Sequence, residues 1–68
     1  MPIVRVTLAT GRSQAQKQAM ADEITDALVR HGNAHRDHVY VLFEDVDPDA
    51  WMVAGETITN RMRKRGEL

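Results

Sequence analysis

A β-α-β unit with two parallel strands, one long helix and a short C-terminal hairpin is the fold class, α/β (α+β), that this sequence predicts. Three observations predict it. Two apolar runs near Pro2–Ala9 and His38–Glu44 have the two-residue alternation of strands, and a longer stretch between them repeats with helical period. A strand, a crossover helix and a second strand of these lengths form a right-handed unit with parallel strands. Both runs carry apolar residues on both faces, so one helix leaves half of that surface bare. The cover for the bare half is expected to be further copies of the chain.

In the first strand, Val4, Val6 and Leu8 fall on one face and Ile3, Arg5, Thr7 and Ala9 on the other. Thr10-Gly11-Arg12 breaks the alternation, and Gly11 gives the backbone its freedom to turn. Ser13 with Gln16 three residues on is the pattern of a capping box, in which each side chain satisfies an orphan backbone N–H at a helix start. The helix is expected to run to about His31. Met20, Ile24, Ala27 and Leu28 share its apolar face with Ala19 beside them, and Lys17, Asp22, Asp26 and Arg30 lie on wet faces. Gly32-Asn33 is a helix stop. In the second strand, Val39, Val41 and Phe43 oppose Tyr40 and Leu42. Asp45–Ala50 is expected to be an acidic loop around Pro48, and Trp51–Thr59, with Gly55, a short hairpin or docking arm. The basic stretch Arg61–Arg65 is expected to be an exposed tail.

The chain of 68 residues is read as a single domain. A domain this small buries only about 60% of its unfolded surface and needs disulfides, a metal or self-association. With no cysteine, disulfides and thiolate metal sites are ruled out and self-association remains. The formal net charge of -1 exerts no overall pull on nucleic acid or anionic membrane. There is no apolar run of membrane-spanning length and no secretory pattern at the start, so the expectation is a soluble cytoplasmic protein.

Met1-Pro2 is the first candidate for chemistry. Removal of an initiator methionine ahead of so small a residue exposes a secondary amine. In an apolar pocket beside a fixed cation, the charged form of that amine is disfavoured and its pKa falls. A base tuned in this way suits proton abstraction next to a carbonyl. Arg12 is the second candidate, because a guanidinium stays charged and grips a carboxylate with two bonds. Each residue also has a plain reading, Pro2 as a strand start and Arg12 as a solvated turn residue.

Their surroundings favour the chemical reading. Pro2-Ile3-Val4-Arg5-Val6, Thr10-Gly11-Arg12-Ser13 and Gln16-Lys17 closely resemble the start of the 4-oxalocrotonate tautomerase family. The resemblance continues through the helix, the strand ending Phe43-Glu44, and Trp51-x-Val53-Ala54-Gly55, and so covers nearly the whole chain. It implies a cofactor-independent isomerase with Pro2 as general base. The reaction would be keto-enol proton transfer on a small 2-hydroxy-dienoate or enol-pyruvate carboxylate. The resemblance also implies Arg12 as the carboxylate-binding residue and a homo-oligomer, with a hexamer favoured. Trp51 stands where the family has an aromatic wall beside the amine, and it equally suits an anchor between subunits. Tyr40 stands where the best-known members carry a second arginine; it either donates one uncharged hydrogen bond to substrate or packs.

Two further readings of the same scaffold remain. One is a hydrolytic dehalogenase of a haloacrylate, which needs a carboxylate such as Glu44 or Glu56 to activate water. The other is an inactive oligomeric binding module. His31, His35 and His38 are split by Gly32 and read as loop residues, not zinc ligands. Asp45, Asp47 and Asp49 lack the glycine and closing glutamate of a calcium loop. No metal site and no cofactor is expected.

Overall fold

The computed structural model describes residues 1–66. Strand β1, Ile3–Ala9, is followed by helix α1, Gln14–Gly32, and a 3₁₀ turn at Arg36–His38. Strand β2, Tyr40–Val46, pairs parallel with β1 from Ile3↔Tyr40 to Ala9↔Val46. A second 3₁₀ turn, Pro48–Ala50, leads to strands β3, Met52–Val53, and β4, Glu56–Thr57, which form an antiparallel hairpin. The chain then enters a short helix α2, Ile58–Lys64. The expected β-α-β unit with a C-terminal hairpin is therefore the fold.

Three local expectations are corrected. The second strand starts at Tyr40 and not His38, because His38 N–H donates to the His35 carbonyl at 2.9 Å and closes the 3₁₀ turn. The strand runs on through Asp45 to Val46, because Thr10 N–H reaches the Val46 carbonyl at 3.1 Å and extends the pairing. The basic stretch expected as a tail lies largely in α2, capped by Thr57, whose side chain accepts from Asn60 N–H at 3.1 Å.

Helix α1 starts as its sequence dictates. The Ser13 hydroxyl accepts from Gln16 N–H at 3.1 Å while the Gln16 side chain accepts from Ser13 N–H at 2.8 Å. It ends at Asn33, whose φ of 54° is the left-handed C-cap conformation. The half-buried stripe of α1 is Met20, Ala21, Ile24, Thr25, Leu28 and Val29. Ala19 and Ala27, expected on that face, are exposed, because the stripe is centred closer to Ala21 and Leu28. Val4, Val6 and Leu8 with Val41 and Phe43 form the half-buried strand face beneath α1. The opposite face is open, with Ile3 60%, Tyr40 47% and Leu42 49% exposed.

Two size measures show how much surface this arrangement leaves uncovered. The Cα radius of gyration is 15.3 Å, against about 11 Å for a compact chain of this length. The accessible surface is 5153 Å², against roughly 4300 Å² for a compact monomer of this mass. No described side chain is fully buried. The C-terminal arm of β3, β4 and α2 packs chiefly on itself and on the turn at Pro48–Ala50. Among the described residues, no helix is long and apolar enough to cross a membrane.

The capping box makes one measurable contribution. Ser13→Ala should lower stability by about 1 kcal/mol, read as a shift of the urea midpoint with the slope unchanged. An unchanged midpoint would show that α1 is held by packing alone.

Candidate functional site

The parallel register places the candidate residues at two ends of one sheet. At the N-terminal end, the Pro2 carbonyl accepts from Tyr40 N–H at 3.0 Å, which continues the ladder one step beyond Ile3. Pro2 is half-buried and lines an open pocket of about 590 Å³. Met1, Leu28, Gly32, Asn33, Ala34, His35 and His38 complete its lining. That volume lies within the range of small-molecule sites.

The far wall of this pocket is built where α1 stops. Asn33 and Ala34 N–H groups both turn back to the Leu28 carbonyl, the latter at 3.2 Å. The chain then enters the 3₁₀ turn with His35 as its cap, the His35 Nδ1 accepting from Asp37 N–H at 3.3 Å. Arg36 anchors the turn to α1 through Asp26 and Asp22. Its guanidinium is held above its ordinary pKa chiefly by the hydrogen bond to Asp26. The His35 and His38 rings rest on one another with centroids 4.9 Å apart.

At the opposite end, Gly11 turns with φ of 130°, a conformation that favours glycine. Arg12 is exposed, and one guanidinium N–H donates to the Ala9 carbonyl at 3.1 Å. Trp51 follows the turn after β2 and is half-buried; its carbonyl accepts from Ile58 N–H at 2.8 Å. Seven strand steps separate Pro2 from Ala9, or about 23 Å. One chain thus carries Pro2 at one end of β1, and Arg12 and Trp51 at the other.

Tyr40 shares the pocket end through its backbone only. Its side chain belongs to the open face with Ile3 and Leu42 and does not line the Pro2 pocket. His35 and His38, read from sequence as loop residues, do line it. A positional signal existed: with parallel strands, the residues just before β2 lie at the same sheet end as those just before β1. Neither Glu44 nor Glu56 lines the pocket. Glu44 accepts from the Thr7 hydroxyl at 3.0 Å, and Glu56 is engaged in the C-terminal arm. Among the described residues, no three His, Cys, Asp or Glu side chains are grouped to hold a metal ion.

The family model described as tautomerase enzyme matches residues 2–61. The chain belongs to the tautomerase family. That membership places it in the general class of isomerases that interconvert tautomers. It is 44% identical over 55 residues to a probable tautomerase of Ralstonia nicotianae, covering 81% of this chain and 85% of that protein. Among solved structures, a 4-oxalocrotonate tautomerase isozyme of Methylibium petroleiphilum superposes with a TM-score of 0.86 at 32% identity, covering 93% of this chain and 98% of that one. A heterohexamer 4-oxalocrotonate tautomerase of Chloroflexus aurantiacus gives 0.81 at 27% identity, with 87% and 95% covered.

In this family member the arm that follows Trp51 is tied by the Glu56 carboxylate. Glu56 accepts from Lys64 Nζ at 2.5 Å, Asn60 Nδ2 at 2.6 Å and Arg61 Nε at 3.1 Å. The bond to Lys64 is the largest cause holding the Glu56 carboxyl below its ordinary value of 4.5, and burial opposes it. A depressed carboxyl contributes stability that is present above pH 4.5 and lost as pH falls through the folded pKa. The difference in melting temperature between wild type and Glu56→Gln should therefore be constant near neutrality and shrink on acidification below 4.5. A difference that persists undiminished to about pH 2, below any ordinary carboxyl, would show that Glu56 acts by packing alone.

Proposed function

We propose that the protein is a cofactor-independent tautomerase in which Pro2, freed of Met1, is the general base for keto-enol proton transfer on a small 2-hydroxy-dienoate or enol-pyruvate carboxylate. The observation that carries the reading is the position of Pro2, half-buried at a pocket of substrate size with Leu28 and Ala34 in its wall. A neighbouring copy that covers this open pocket would strip water from an amine placed there, which weakens its hold on a proton and brings it into range as a base. Met1 is 80% exposed, so the bond that must be cut is accessible. While Met1 remains, the Pro2 nitrogen is an amide with no basic lone pair.

The base takes the proton of the enol hydroxyl and returns one to a carbon further along the conjugated chain. Arg12 grips the carboxylate and Trp51 closes the pocket against water. In one chain these two residues follow the strand ends, and β1 alone spans about 23 Å from Pro2 to Ala9, so the reading requires neighbouring copies to deliver them. Copies docked through the open face of Ile3, Tyr40 and Leu42 and through the C-terminal arm would do this, with Tyr40 in the contact and not at the substrate. A homohexamer is the favoured assembly; the Chloroflexus relative is a heterohexamer. A cytoplasmic location fits this chemistry.

The intact mass of the native protein should lack Met1, and 2-hydroxymuconate or phenylenolpyruvate should be turned over. Pro2→Ala should lower kcat/KM by about 100-fold or more, the scale of a lost general base. Arg12→Ala should lower it by about 10- to 100-fold, as expected for a charged hydrogen-bonding partner. A retained Met1, or undiminished rates in both variants, would defeat the reading. Assembly is tested separately. Leu42→Lys puts a charge on the open face and should convert the oligomer seen by sedimentation to smaller species with lost activity. An active wild-type monomer would contradict the shared site.

A further inference from the structure

We propose that His38 is a substrate-contacting residue that helps set specificity, its imidazole N–H donating a hydrogen bond to an oxygen of the carboxylate substrate in the Pro2 pocket. The inference rests on the tautomerase reading for the identity of the substrate, but the contact itself stands on geometry.

A carboxylate or enolate bound beside Pro2 needs hydrogen-bond donors, and no Lys, Arg, Asp or Glu lines the pocket. Its side-chain donors are Asn33, His35 and His38. Asn33 has its backbone in the left-handed cap that ends α1. His35 is fixed by the Asp37 N–H on its Nδ1, and the turn beneath both rings is tied to α1 by Arg36 through Asp22 and Asp26. His38 is set apart by its place in the chain, two residues before Tyr40, whose N–H bonds the Pro2 carbonyl. Its ring stacks on His35 at 4.9 Å, tilted by 32°, and its nitrogens have no hydrogen-bond partner among the described residues. It is a donor without a protein partner among the described residues, and it lines the same pocket as the base. Tyr40 points its side chain to the open face. His38 supplies a donor at the same sheet end in its place. An imidazole there suits a substrate that places one strong acceptor at that end, a carboxylate oxygen or the 2-oxygen of an enol-pyruvate.

The test uses the native oligomer and muconate, a dicarboxylate that lacks the 2-hydroxyl and so cannot tautomerise. The imidazole Cε1–H signals of His31, His35 and His38 are followed by NMR, each assigned by its His→Gln variant. The His38 signal should move saturably with muconate while that of His31, outside the pocket, stays still. In turnover, His38→Ala should raise KM for phenylenolpyruvate about 10-fold, and His38→Gln, which keeps a donor, should recover most of that loss. A His38 signal unmoved at 10 mM muconate, or unchanged kinetics in His38→Ala, overturns the contact. If that occurs while Pro2→Ala still abolishes turnover, the tautomerase reading survives alone. If the His38 signal moves but wild type turns over nothing, the contact survives and the tautomerase reading falls.

Discussion

Parallel pairing of β1 and β2 is the constraint on which the rest of this structure depends. Parallel strands need a crossover, and among the described residues α1 is the element long enough to supply it. Having crossed, α1 covers the face of Val4, Val6, Leu8, Val41 and Phe43 and leaves Ile3, Tyr40 and Leu42 uncovered. The same register aligns both strand starts at one end, so Pro2, His35 and His38 meet there, while Gly11, Arg12 and Trp51 follow the strand ends at the other. The open face and the divided site have one cause.

Much of the frame was legible because it is written in local chemistry. The Ser13/Gln16 box and the Asn33 stop are each decided by a few neighbouring residues, and both form as expected. Alternation in β1 placed Val4, Val6 and Leu8 on one face without reference to anything distant. Helix α2 was missed for the opposite reason. With seven residues and Ile58 and Met62 as its half-buried apolar pair, it has too few periodic positions to announce itself, and it leans on Glu56 from the preceding strand. The start of β2 was misplaced because the His35-capped turn holds His38 back, although its β-branched neighbours suggested strand.

The candidate site was legible in residue type and not in arrangement. Pro2 and Arg12 were identified because an amine and a guanidinium suit the same carboxylate chemistry. Ten positions apart in sequence, they look adjacent, but those positions include an entire extended strand. Tyr40 was placed beside Pro2 by its backbone, and period-two alternation carried its side chain to the other face. His38 escaped because its meaning depends on topology: a histidine after a helix stop is an ordinary loop residue until the parallel register brings it alongside the first residues of the chain.

The division of the site also bears on how the chemistry is controlled. In the proposed assembly, an isolated chain has a base in a half-formed pocket and, beyond the far end of β1, a carboxylate grip with no base. Neither half is useful alone. The Pro2 amine gains its full desolvation, and the guanidinium that lowers its proton affinity further, only when a neighbour docks. The apolar contacts that must form to hide Ile3 and Leu42 are then the same contacts that tune the base. Packing and catalysis cannot be selected separately in such a chain, and a substitution on the open face would change the proton chemistry of a residue it never touches.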